Sequence, residues 1–236
     1  MHYFTFDGRP SRDFMVMISG EDTWKKPKPI LERITVPGRN GDIITFNGAY
    51  ENASVTYHCG VVRDFDENYT AFVNWLLANP GYRRLEDSYH PGYYRMATVE
   101  AIGDPSLTKL NRSATFDLTF TCKPQTFLKH GEKKYVFIRT GDIYNPTLFD
   151  AKPLIRVYGV GEFSIGSGIV TINEADGYTD LDCELEDAYK DDSSNNCNGK
   201  IRLAGDHFPV IPAGRHGVTL GTGITRIEIT PRWWQL

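Results

Sequence analysis

Alternation of apolar and polar residues with a period of two is the dominant pattern along this chain. In the clearest run, Ala114, Phe116, Leu118, Phe120 and Cys122 share one side and polar residues occupy the other. This alternation is typical of a half-buried antiparallel strand. Noisier versions predict further strands over residues 14–19, 30–36, 53–63 and 93–102, with turn residues between them.

One segment has helical spacing instead. Its apolar stripe, spaced i, i+3, i+4, i+7 and i+8, consists of Tyr69, Phe72, Val73, Leu76 and Leu77. Asp66 or Asn68 is expected to cap the helix, and Asn79-Pro80-Gly81 is expected to end it. Trp75 lies off the stripe, so we expect it either to pack against a neighbouring loop or to contact another subunit.

After Lys123-Pro124 the chain is loop-like through Lys134, and we place a domain boundary there, giving domains 1–133 and 134–236. Short strands separated by turns are predicted at 135–139, 154–159, 162–165, 168–172, 181–185, 201–204, 214–220 and 225–230. No helical pattern interrupts them. The second domain is therefore predicted to be an all-β sandwich, and the whole chain to be mainly β with one helix.

Composition narrows the functional classes. The 236 residues are 40% hydrophobic and 13% aromatic, with a net charge of −4. A dedicated nucleic-acid-binding protein would carry a basic stripe, and none is visible. We see no secretion signal and no long apolar run, so we expect production in a cytosol and no membrane insertion.

The cysteines favour neither a metal nor a disulfide. None of the four forms a C-x-x-C pair. Cys59, Cys122 and Cys183 fall in predicted strands and are expected to be buried small hydrophobes. Cys197 lies in a polar run and is expected to be exposed. No metal site or cofactor is predicted.

The glycine motifs and the acidic segment also favour a structural role over a catalytic or phosphate-binding one. Gly159-Val160-Gly161 and Gly221-Thr222-Gly223 lack a following helix and are interpreted as hairpin turns rather than phosphate loops. Residues 174–192 contain nine acidic side chains. Asp180, Asp182, Glu184 and Glu186 alternate with apolar residues there, so we expect the solvated face of a strand rather than paired catalytic carboxylates. No catalytic residue is predicted.

Three further motifs are not of a catalytic type. They are the turn Val36-Pro37-Gly38-Arg39-Asn40-Gly41, the strand end Phe120-Thr121-Cys122-Lys123-Pro124, and the terminal Pro231-Arg232-Trp233-Trp234. The candidate assembly or structural residues are Trp75, Pro37, Gly38, Arg39, Lys123, Pro124, Arg232, Trp233 and Trp234. If the last strand continues through the two tryptophans, one faces the core, and the other covers the outer face, the first domain or a neighbouring subunit. Arg232 is expected to lie on an aromatic ring or to pair with a carboxylate.

These motifs, in this order, resemble the distal tail protein (Dit) family of long-tailed, non-contractile phages. Residues 84–94, Asn145-Pro146, 152–159 and 211–214 extend the resemblance over essentially the whole chain. One departure is His216, where relatives commonly carry asparagine after the glycine turn.

The resemblance implies a non-catalytic virion protein, assembled in the host cytoplasm. Its first domain would form a homo-hexameric ring around the passing DNA, with the helix and a protruding hairpin linking neighbours. Its second domain would be a galectin-like β-sandwich. The ring would join the tail-tube protein to the tail-associated lysin or fibre protein and, in some phages, carry receptor-binding proteins.

Two other functions remain open. A galectin-like sandwich can bind sugar, and Tyr144, Tyr158 and Tyr178 are candidates for an aromatic platform in a carbohydrate-binding module. A cell-wall hydrolase is the second, and the missing catalytic motif disfavours it.

Overall fold

The structure of the protein is a computed structural model that describes residues 1–20, 23, 25–78, 80–108, 112–205 and 207–236. Strands make up 52% of the chain, which confirms the mainly β prediction with a single α-helix in the described part. The chain separates into two compact units, residues 1–126 with Leu236 and residues 127–235.

The first unit is built on one curled sheet. The strands of the first unit are β1 (Phe4–Phe6), β2 (Arg9–Pro10), β3 (Val16–Ser19), β4 (Pro29–Ile34), β5 (Ile43–Tyr50), β6 (Ala53–Val61), β7 (Arg83–Asp87), β8 (Tyr93–Ile102), β9 (Ser106–Leu107) and β10 (Ala114–Leu128). The main sheet runs in the order β2-β1-β7-β8-β10-β6-β3, and β9 pairs with β10. A bridge between His2 and Ile18 joins the chain before β1 to β3, so the sheet curls back on itself.

Strand β10 is longer than the sequence predicts. The predicted loop after Lys123-Pro124 is wrong at its start, because β10 continues to Leu128. Thr126 and Leu128 are buried and continue the inward face. With proline and threonine at inward positions, the apolar signal in the sequence fades before the strand ends.

Helix α1 (Phe65–Leu77) packs Phe72 and Leu76 into the core of the curled sheet. Leu77 was predicted on the buried stripe but is 58% exposed. A helix turns by about 100° per residue, so Leu77 lies well round from Leu76. The predicted cap is also different, since Asn68 Nδ2 donates to the carbonyl oxygens of Arg63 and Asp64. The helix ends at Leu77, and Asn79 of the predicted stop signal lies outside the described residues.

The second unit has two antiparallel sheets. Their strands are β11 (Tyr135–Phe137), β12 (Gly141–Asn145), β13 (Leu154–Gly159), β14 (Gly161–Ile165), β15 (Gly168–Ile172), β16 (Tyr178–Asp182), β17 (Asp187–Lys190), β18 (Asp192–Asn196), β19 (Ile201–Leu203), β20 (Gly214–Leu220) and β21 (Ile224–Thr230). The short strand β22 (Trp234–Gln235) lies outside these two sheets and pairs with β10. One sheet has the order β11-β21-β13-β16-β17-β18, the other β12-β20-β14-β15-β19. Each buries alternate apolar residues, such as Ile155 and Val157 in the first and Phe163 and Ile165 in the second. One buried face per sheet is the pattern of a β-sandwich.

The two Gly-x-Gly motifs are not hairpin turns. Gly159-Val160-Gly161 carries the chain from β13 to β14, and Gly221-Thr222-Gly223 carries it from β20 to β21, so each crosses between the two sheets. A Cβ on Gly159 would lie 2.1 Å from the carbonyl oxygen of Gly223, and one on Gly223 would lie 2.0 Å from that of Val160. The two crossings pack backbone against backbone, so a side chain at Gly159 or Gly223 would clash with the other crossing.

Candidate assembly surface

The hairpin formed by β4 and β5 stands apart from the main sheet. It is a separate two-stranded sheet, paired Leu31 to Phe46 and Ile34 to Ile43. Its side chains are exposed over nearly its whole length. A two-stranded ribbon is marginally stable in water unless other structure packs on it.

Both faces of this hairpin carry apolar side chains. Cross-strand partners share a face, so Leu31, Phe46 and Ile44 lie on one side, while Ile34 and Ile43 lie on the other. Ile44 is 56% exposed and Phe46 is 45% exposed. Strand β5 contains no charged residue. Clustered exposed apolar residues of this kind mark an interaction surface.

The predicted turn motif forms the tip of the hairpin. Pro37, Gly38 and Arg39 lie in the exposed connection between β4 and β5, and the Arg39 amide donates to the Val36 carbonyl at 3.1 Å. Gly38 has a φ of +79°, a conformation that favours glycine. Sequence reasoning found this turn and missed the apolar faces behind it, although the apolar residues of β5 and its lack of charge are visible in the sequence.

Trp75 packs within its own chain. Its ring stacks on Phe14 with centroids 4.9 Å apart and lies 5.7 Å from Phe72 and 6.2 Å from Phe4. Phe14 belongs to a short 3-10 turn before β3. The observed contacts therefore agree with the expectation that Trp75 packs against a neighbouring segment of its own chain. The ring remains partly exposed at one edge of the aromatic core.

Lys123 and Pro124 lie within β10 rather than at its end. The Lys123 ammonium lies 5.3 Å from the centroid of the Tyr82 ring. That distance is within the range of a cation–π contact.

Arg232 pairs with a carboxylate, one of the two arrangements expected for it. Its guanidinium donates to both oxygens of Asp182, at 2.7 and 2.8 Å. Arg232 has a φ of +58°, so the chain turns sharply here, and its amide donates to the Gly131 carbonyl. The ion pair thus fixes the last residues of the second unit onto β16.

The acidic segment is not a solvated strand face. Asp180 and Asp182 are only 3% and 4% exposed, and β16 ends at Asp182, so the predicted strand over 181–185 is wrong. Asp180 accepts two hydrogen bonds from Arg156, each 2.7 Å long. Glu184 and Glu186 follow in a turn and are exposed. The buried aspartates therefore form ion pairs with arginines that are distant in sequence. The alternation of apolar and polar residues does not reveal such pairs.

The pKa of Asp182 reflects its ion pair with Arg232. Burial acts to raise the pKa, but the hydrogen bonds and charge of Arg232, with the backbone N–H groups of Leu185 and Glu184, outweigh burial and lower the pKa below the usual 3.8. The same hydrogen bonds raise the pKa of Arg232. The pair is charged at neutral pH.

The two tryptophans have separate environments, although the last strand does not continue through them. Strand β21 ends at Thr230. Trp233 is fully buried, and its backbone packs against Gly131. Trp234 stacks on Phe149 at 4.4 Å and donates from Nε1 to the Asp150 carbonyl at 2.9 Å. Both therefore have partners in the second unit.

The tyrosines proposed as a sugar platform are placed differently from one another. Tyr144 is 61% exposed on β12. Arg226 lies over the Tyr158 ring and Arg156 lies over the Tyr178 ring, at 5.2 and 4.1 Å from the centroids. With a guanidinium on each ring, Tyr158 and Tyr178 do not form an open stacking platform.

All four cysteines are free thiols buried in the protein. Cys197 was expected to be exposed but is only 4% exposed, and its amide donates to the Ala188 carbonyl at 2.7 Å. Burial raises the pKa of the Cys122 thiol to about 12 and raises that of Cys59 as well. Within the described ranges no cluster of three metal-ligating side chains occurs, and no helix has the length and apolarity to cross a bilayer.

Solved structures share this fold. The crystal structure of the Dit protein of phage SPP1, a hub of the adsorption apparatus of phages infecting Gram-positive bacteria, is 14% identical with a TM-score of 0.74, and each chain is covered completely. The baseplate of phage P2 in its activated conformation with calcium contains a chain that is 9% identical, with a TM-score of 0.50 and 97% coverage. The same baseplate with strontium gives 10% identity and the same score.

Sequence comparison alone finds less. The chain matches no protein-family model and shows no significant similarity to a curated protein. At such low identity the structural likeness establishes the fold, and it covers both units. The chain therefore has the fold of a phage distal tail protein, as the sequence motifs predicted.

Proposed function

We propose that this protein is a structural hub of a phage tail tip, assembled as a ring of six copies. The hairpin carries the proposal, because its apolar faces are uncovered in the single chain and need another surface. The shared fold with a phage hub protein supports it. A ring requires that one surface of each copy fit a different surface of the next, and a protruding hairpin suits that arrangement.

In this role the first unit, with a ring domain predicted over residues 1–133, surrounds the passing DNA without reading its sequence. The ring joins the tail-tube protein to the tail-associated lysin or fibre protein. The second unit, as a galectin-like domain, offers a site for receptor-binding proteins. The protein is then a virion component assembled in the host cytoplasm, and it has no catalytic step of its own.

Light scattering coupled to size exclusion tests the ring. We expect a mass six times that of the 26.7 kDa chain, or twelve times for two stacked rings, and ring-shaped particles in negative stain. A chain that stays monomeric at micromolar concentrations, and that also forms no ring with the tail-tube protein of the same phage, would contradict the proposal.

A zymogram on host cell walls tests the absence of catalysis. Clearing by the pure protein, together with release of reducing sugar or peptide, would favour the hydrolase alternative. An unchanged gel beside a lysozyme lane that clears supports the structural role.

A further inference from the structure

An open groove lies on the outer face of the five-stranded sheet of the second unit. Its volume is about 700 Å³, and its lining includes Glu162, Thr171, Glu186, Arg202 and Phe208. This volume is within the range of about 300–1,000 Å³ typical of small-molecule sites. The groove is distinct from the hairpin and from the tyrosines considered above.

Three strands place a polar row along the groove. Glu162 on β14 is paired with Thr171 on β15, which is paired with Arg202 on β19. The residues beside Thr171 in sequence, Val170 and Ile172, are fully buried, so the row points outward. Strands lie about 4.8 Å apart, which separates the backbones of Glu162 and Arg202 by about 10 Å.

The row has unused hydrogen-bonding capacity. The side chains of Glu162, Thr171 and Arg202 form no hydrogen bond or ion pair with any other residue that the structure describes. A carboxylate accepts, a guanidinium donates and a hydroxyl does both. The half-buried Phe208 adds an aromatic side chain to the lining.

We propose that this groove binds a neutral oligosaccharide. Sugar hydroxyls both donate and accept, so one ligand can satisfy Glu162, Thr171 and Arg202 together while a sugar face packs on Phe208. Two glutamates against one arginine in the lining disfavour an anionic ligand. The edge strand β19 has only three residues, which is too short for a bound peptide to extend the sheet.

A glycan array with the full-length protein, followed by titration of the best glycan in calorimetry, tests this assignment. We expect neutral glycans to bind, and Arg202→Gln or Glu162→Gln to weaken affinity at least tenfold. Arg215→Gln and Asp142→Asn, exposed on the same sheet outside the groove lining, are the matched controls for the two charge changes and should retain the affinity. Melting temperatures verify folding of each variant.

No bound glycan, binding only of acidic glycans, or equal loss in the control variants would overturn the assignment. Competition by an extended peptide in place of sugar would do so too. Ring formation is measured separately on the same variants, so failure of the groove and failure of the hub are distinguishable.

Discussion

The hairpin of residues 29–50 and the terminal segment of residues 231–236 both carry large apolar side chains away from a central core, yet only one is covered. Trp233 is fully buried and Trp234 stacks on Phe149. In the hairpin, Ile44 and Phe46 are about half exposed. The same side-chain chemistry thus stabilises the fold in one region and stays exposed to solvent in the other. In the proposed assembly, burial rather than residue type separates the segment that folds the chain from the segment that joins copies.

Truncating the buried indole should have the largest effect on stability. Trp233→Ala is expected to lower the free energy of unfolding by about 3–5 kcal/mol, because it leaves a cavity beside Gly131. Trp234→Ala is the matched variant and should cost less, since its ring is partly exposed. Urea unfolding followed by circular dichroism measures both. Equal effects would remove the distinction between the two positions.

Breaking the Arg232–Asp182 pair should come next. Arg232→Ala leaves a buried carboxylate without its partner and is expected to cost about 3 kcal/mol. Arg232→Lys keeps the charge but loses the two-point geometry, so it should recover only part of the stability. Wild-type stability in Arg232→Ala, measured by urea unfolding, would show that the terminal segment is held by its tryptophans alone.

Acid should weaken the same region more gently. The folded state lowers the Asp182 pKa below the usual 3.8, so the unfolded chain takes up a proton at higher pH than the folded chain does. The contribution of Asp182 is therefore full above its ordinary pKa and is lost as pH falls through the lowered value. Urea midpoints measured from neutral pH down to about pH 3 should fall less steeply in Asp182→Asn than in the wild type. Parallel slopes would contradict this.

The hairpin should show the smallest change in stability and a clear change in assembly. Ile44→Ser with Phe46→Ser is expected to shift the free energy of unfolding by within about 0.5 kcal/mol, because both side chains are already solvated. Light scattering should show loss of the ring. Ile138→Ser with Leu148→Ser, exposed outside the hairpin, is the control and should assemble normally. If the control pair abolishes assembly and the hairpin pair does not, the assembly surface lies elsewhere.

Local patterns predicted much of this fold and less of its sites. Strict alternation located β10, and helical spacing located α1, because both signals depend on neighbours in sequence. The burial of Asp182 was missed because its partner, Arg232, is fifty residues away, and alternation records only which side a residue faces. Strand β18 was missed because Asp192–Asn196 contains no apolar residue. The residue patterns predicted one strand and the turn of the exposed hairpin, and only the family resemblance implied that it protrudes. Its lack of a covering surface within the chain appears only in three dimensions.

The two glycine crossings have a mechanical consequence. The chain passes between the two sheets of the second unit twice at one corner, and the passages are in contact through carbonyl oxygens and bare Cα atoms. Sliding one sheet over the other would drive these atoms together. Resistance of the second unit to shear therefore depends on four positions that lack a side chain, as well as on the apolar interior.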